Sequence, residues 1–179
     1  MPPSGDFKRF LETGTTADLG PATRPEALPE AELAKKLDKE FKESSLSPVR
    51  QNLVQALLLL WHDHLESAHG IAQTIETPDG AYIHGIMHRR EPDYGNAQYW
   101  FQRLGTHPAF HGLSKRLTDD SRLDPALKGK LVRRDQWDPY GFIAACERVA
   151  GRPADDPEVV ALRHVQQLEF ENLLEYLCR

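Results

Sequence analysis

The apolar positions of this chain recur in steps of three and four over most of its length, the spacing of helices that each bury one face. Leu33, Leu37 and Phe41 form one such face and predict a helix over 29–43, opened by Pro29-Glu30. Ser47-Pro48 is a start signal. A serine side chain can cap free backbone N–H groups, and proline loses nothing at the first helical position. No Pro or Gly follows until Gly70, and Val54, Leu58, Trp61, Leu65, Ala68, Ala72 and Ile75 keep the helical step. This predicts one long helix over 48–76, apolar all round between Ala56 and Trp61 and therefore central to the fold, with a break near His62–His64 left open because a repeat reading would require one. The turn at Glu76–Gly80 leads into a helix over 80–91 that Pro92 ends. Asp93 caps a helix over 94–104 that stops at Gly105. The stretch 106–136 is mixed, with a turn at His107-Pro108 and a short helix expected from Asp124-Pro125. Asp138-Pro139 and Asp156-Pro157 start helices over 139–150 and 157–177. No alternating run is flanked by hairpin turns, so no sheet is expected. The fold class is all-α: a single-domain bundle of about six helices.

Residues 1–26 are rich in Gly, Thr and Pro, lack any period, and read as a flexible or surface-draped N-terminal arm. Residues 27–179 then form the helical domain, a size that suits one domain in a chain of 179 residues. The composition, 40% hydrophobic and 27% charged, is that of a globular chain. No apolar run is long enough to span a membrane. A net charge of −5 with acids interleaved among the bases argues against a nucleic-acid partner. Cys146 and Cys178 lie far apart in apolar helical patterns and suggest neither a metal site nor a disulfide. With no apolar leader at the N-terminus, a cytoplasmic location is expected. The sequence names no oligomeric state.

The segment Asp93-Tyr94-Gly95-Asn96-Ala97-Gln98-Tyr99-Trp100-Phe101-Gln102-Arg103-Leu104-Gly105, with the helix before it, resembles a Sel1-like or tetratricopeptide hairpin over 81–105. Ala97, Trp100, Phe101 and Leu104 fall on that motif's packing face, whereas His84, His88, Arg89, Arg90 and Glu91 depart from it. A longer string is similar to a family of all-helical proteins of bacteria and fungi with no assigned activity. It runs through Trp61-His62-Asp63-His64, Ala68-His69, His84, His88-Arg89-Arg90-Glu91, Asp93-Tyr94, Asn96-Ala97, Tyr99-Trp100-Phe101, His107-Pro108 and Phe110. The resemblance implies a helical fold and a shared site, and names no reaction.

Seven of the eight histidines fall between His62 and His111. His84 and His88 are four apart and share one helical face. A tight turn at 76–80 would set His88 level with His69, and the turn at Pro92 would bring Asn96 level with His88. Imidazoles from facing helices are how bundles build metal sites, and Zn, Fe or Ni suit three such ligands. His69, His84 and His88 are therefore the candidate metal ligands. Asp63, Glu66, Asp93, Asn96, Arg89 and Tyr99 are candidate pocket residues. His62 and His64 should lie off that spot, and His107, His111 and His164 receive no role. Sharper motifs are missing: there is no His-Glu-x-x-His, no Gly-x-Ser-x-Gly elbow and no phosphate-binding glycine loop with Lys-Ser/Thr.

The leading expectation is an interaction or scaffold-type protein whose histidines hydrogen-bond Arg89, Arg90, Glu91 and Asp93 in a structural polar layer. Arg89-Arg90-Glu91 itself reads as solvated pairs that complement a helix C-terminus. Trp61, Tyr99, Trp100 and Phe101 read as core. The alternative is a metal-binding or small-molecule enzyme built on His69, His84 and His88, with Asp63, Glu66 or Asp93 as base or extra ligand. Whether it is an enzyme is left open by the residues.

Overall fold

The computed structural model describes residues 6–179. Among them are nine α-helices: α1 (Glu30–Glu43), α2 (Pro48–Trp61), α3 (Leu65–Ala72), α4 (Pro78–Arg90), α5 (Tyr94–Leu104), α6 (Ala109–Asp119), α7 (Pro125–Leu131), α8 (Pro139–Val149) and α9 (Pro157–Leu177). The all-α class stands, with more helices than the six expected. Among the described residues, no helix is long and apolar enough to cross a membrane.

The capping chemistry behaves as the residues dictate. Ser47, Thr77, Asp93, Asp124, Asp138 and Asp156 each accept hydrogen bonds from backbone N–H groups of the helix they precede. Two expectations about the middle of the chain need correction. The helix expected over 48–76 is two helices, α2 and α3, broken at His62-Asp63-His64. Asp63 takes a left-handed backbone (φ 67°), which aspartate tolerates better than most residues. The mixed stretch after His107 contains α6, whose Phe110, Leu113 and Leu117 are buried at helical spacing.

A two-stranded antiparallel ribbon also appears where no sheet was expected: β1 (Val132–Arg133) pairs with β2 (Gln136–Trp137). Arg134 and Asp135 link the strands with φ of 50° and 61°. Two positive φ values are what a two-residue hairpin turn needs, but neither residue is the Asn or Gly that announces one.

Helix α2 is the axis of the core. Eight of its fourteen residues are buried, Leu53 through Trp61 almost without a gap. It packs against α1, α3, α4 and α9, and the ring of Trp61 lies 5.3 Å from that of Phe170 on α9. Residues 6–26, the described part of the expected N-terminal arm, are draped on this core and anchored to it. Residues 1–5 lie outside the described residues. A short 3-10 helix, Phe7–Leu11, buries Phe7, Phe10 and Leu11, and Ala17, Leu19 and Arg24 are buried further on. Single apolar anchors spaced without period hold this segment, so periodicity could not reveal it.

Candidate metal centre

Helix α4 is enclosed, with all but its first two residues buried. Its close approach to α5 depends on Gly85. A Cβ there would lie 2.6 Å from Cε2 of Phe101, too close for any side chain. The last three residues of α4 leave the helix in three directions, as successive positions must. His88 turns toward α3 and α5, Arg89 toward α9, and Arg90 toward the break between α2 and α3.

The first direction forms the histidine cluster. His69 comes from α3 and His84 and His88 from α4, and one ring nitrogen from each lies within 4.8 Å of the others. The ring centroids are 4.8 Å apart for His69 and His84, 5.6 Å for His69 and His88, and 5.3 Å for His84 and His88. His84 and His88 are buried, and His69 is half-buried. The ring of His84 stacks on the indole of Trp100, with centroids 3.9 Å apart and planes within 5°. His88 has two polar neighbours. Nδ1 lies 3.3 Å from a carboxylate oxygen of Glu91, and the amide nitrogen of Asn96 lies 3.2 Å from Nε2 and 3.3 Å from Nδ1. Burial, then the neighbouring imidazoles of His69 and His88, pushes His84 down to about 4. Burial also lowers His88, and the charge of Glu91 only partly offsets it. Both are therefore neutral near pH 7, the form that binds metal.

The other two directions are ionic. Arg89 reaches both carboxylate oxygens of Glu169 on α9, at 3.2 and 2.5 Å, and its guanidinium lies 4.3 Å from the ring of Phe142. Arg90 donates to Asp63 at 2.9 Å, to the carbonyl of Gly20 and to the carbonyl of Leu60. Asp63 also accepts from the backbone N–H and the Nε of Arg24, at 2.9 and 3.0 Å, while Arg24 donates to the carbonyl of Trp61. Both guanidiniums thus cap the carbonyl end of α2, whose partial negative charge helps to balance two cations against one carboxylate. Burial works to raise the Asp63 carboxyl, but the hydrogen bonds and charge of Arg90, and then Arg24, hold it below its ordinary 3.8.

The candidate residues sort as follows. His69, His84 and His88 come together, with Asn96 against His88. Asp93 caps α5 and is exposed. Glu66 is exposed on α3, one turn before His69. Asp63 and Arg89 do not belong to the cluster, because each is taken up in a buried ion pair elsewhere. Arg89-Arg90 is not a solvated run either: both side chains are fully buried. Tyr99 is 51% exposed and beside Arg103, so neither pocket nor core holds it. Trp100 is half-buried on His84, whereas Trp61 and Phe101 are core. The indole of Trp100 also lines a cleft of about 330 Å³ with Ala72, Ala81 and Arg103.

His62 lies off the cluster, as expected. Leu28 N–H donates to its Nδ1, so its Nε2–H donates to the carbonyl of Phe10 at 2.9 Å. Burial pushes it down to about 4. His107 is similarly engaged between the N–H of Ala109 and the carboxylate of Asp79. Glu169 and Arg24 were missed by sequence reasoning. Glu169 had the signal of an acid inside the apolar stripe of α9, and Arg24 had none.

Fold and site together define an all-helical protein with a three-histidine cluster between two of its helices. Comparison with protein-family models, with curated proteins and with solved structures finds no match.

Proposed function

We propose that this protein binds a transition metal ion through His69, His84 and His88. One observation carries the reading: three imidazoles from two helices converge within 4.8 Å while the arginines beside them are occupied elsewhere. The scaffold reading set the histidines against Arg89, Arg90, Glu91 and Asp93; of these only Glu91 lies against a cluster histidine, while the two arginines pair with Glu169 and Asp63. Tetrahedral coordination with Zn–N bonds of about 2.0–2.1 Å places ligand nitrogens about 3.3 Å apart. Three imidazoles suit Zn, Fe or Ni and leave a coordination position for water or a small ligand. A metal there would act as a Lewis acid or lower the pKa of bound water. Glu91 supplies a carboxylate oxygen 3.3 Å from Nδ1 of His88. The cleft lined by Trp100 and Arg103 offers room for a small molecule beside the cluster.

Elemental analysis of the purified protein tests this. The expected result is about one equivalent of Zn, Fe or Ni that is lost in His88→Ala. A wild-type protein that carries none of the three, and takes up none on addition, overturns the proposal.

A further inference from the structure

All three residues of the break between α2 and α3 hold the N-terminal segment. His62 accepts from the N–H of Leu28 on Nδ1 at 3.0 Å and donates from Nε2 to the carbonyl of Phe10 at 2.9 Å. Asp63 holds Arg24, and Nε2 of His64 donates to the carbonyl of Leu28 at 2.7 Å. A backbone N–H only donates and a carbonyl only accepts, so the neighbours of His62 fix its tautomer. The two histidines then differ in what a second proton does. On His62 that proton has to sit on Nδ1, against the N–H of Leu28. His64 keeps its bond, because the nitrogen that donates already carries its proton.

His62 is fully buried. It forms part of the wall of a cavity of about 530 Å³ between the N-terminal segment and α1, together with Phe10, Leu28 and Lys39. The charges that face it do not favour a cation. Arg24 lies beside it, His64 is a second titratable neighbour, and Asp63 is committed to Arg24 and Arg90. Around the cavity Arg9, Lys36 and Lys39 outnumber Glu12 and Glu26.

We propose that His62 is an acid-sensitive latch: its protonation lifts the Phe10 and Leu28 segments off the core while Arg24 stays paired with Asp63. A buried imidazolium that has lost the Leu28 bond gains water only when this cover opens. The ion pair survives the same acid, because Arg90 and Arg24 hold the Asp63 carboxyl below 3.8. Opening uncovers the buried Phe10 and the half-buried Leu28, so acid puts apolar surface at the edge of the cavity. Burial takes His62 from 6.5 down to about 4. The cover is therefore held closed above about pH 6.5, and opening gains about 100-fold as pH falls from about 7.5 to about 4.

Amide hydrogen exchange of the full chain, corrected for the intrinsic rate at each pH, tests this. The Leu28 amide should open more often than the amides in the middle of α9 at every pH, as local opening requires. Its opening constant should rise about 100-fold from about pH 7.5 to about pH 4. His62→Gln keeps a donor and an acceptor and should remove most of that rise, whereas His64→Gln should retain it. Leu28 exchanging only together with α9, a flat wild-type profile, a rise that survives His62→Gln, or a rise lost in His64→Gln would each overturn the latch. If His62→Gln does not fold, titration of the His62 ring in wild-type protein decides. A midpoint well below the ordinary value of about 6.5 supports the latch, and an ordinary midpoint overturns it.

Discussion

Asp63 and His84 are both buried polar side chains, and each sits among other titratable groups, yet their surroundings treat them in opposite ways. Around Asp63, two guanidiniums and a helix end converge on one carboxylate, and each of its oxygens accepts from at least one arginine. Around His84, the neighbours are two more imidazoles and an indole, none of which neutralises a charge. The first arrangement is stable only with its charges present. The second is stable only with its charges absent, and it leaves ring nitrogens facing one another. A polar cluster that satisfies itself is a structural device, whereas one that gathers neutral imidazoles meets what the proposed metal site requires.

This contrast can be broken most forcefully at Asp63. Asp63→Asn removes the charge that holds Arg24 and Arg90 together and leaves two buried guanidiniums uncompensated. Chemical denaturation should report a loss of about 3–5 kcal/mol. A loss below 1 kcal/mol would mean that the helix-end carbonyls alone suffice.

Acid should act next. The pKa of His62 falls from 6.5 to about 4 on folding, so the unfolded chain takes up its proton first. Its contribution is fully present above about pH 6.5, is lost as pH falls toward 4, and levels off below that. The full span is on the order of 3 kcal/mol. Denaturation midpoints across this range should slope downward toward acid, and His62→Gln should have a shallower slope than wild type.

Metal should stabilise the cluster by a similar but smaller amount. With free Zn²⁺ at about a hundred times Kd, linkage adds about 2.7 kcal/mol, read as a rise in Tm that chelator reverses. The same addition to His84→Ala should leave Tm unmoved. The smallest effect is expected from the cluster without metal. His84→Gln should change stability by about 1 kcal/mol or less, since no ion pair depends on it. A large loss there would place His84 with Asp63 as a structural residue.

Much of the helix pattern was legible from punctuation. Asp93, Asp138 and Asp156 mark helix starts because each meets a local need of the backbone. The convergence of His69, His84 and His88 was legible for a similar reason: an i,i+4 pair and a short turn fix geometry over a few residues. The break at Asp63 was legible only as what a repeat reading would require near His62–His64, and periodicity did not choose it. Its left-handed backbone is stabilised by Arg24 and Arg90, 39 and 27 residues away in the chain. Periodicity carries no trace of partners at that distance. The break did not scatter the histidines, because α3 still packs along α4 after the chain turns. The roles of Arg89 and Arg90 were misread for a related cause. Two adjacent arginines at a helix end look like solvent-facing charge until the acids that meet them, Glu169 and Asp63, are placed.

The divergence of His88, Arg89 and Arg90 from the end of α4 makes the reading frame of that helix unusually intolerant. Each residue turns about 100° from the last. Deleting or inserting one residue between Gly85 and His88 would swing all three side chains at once. The arginine meant for Glu169 would point at another neighbour, and His88 would leave the cluster. Length changes in this protein should therefore be confined to segments outside α4, such as the exposed loop between α8 and α9, where slippage disturbs only surface pairs such as Arg152 with Asp156 and Glu158.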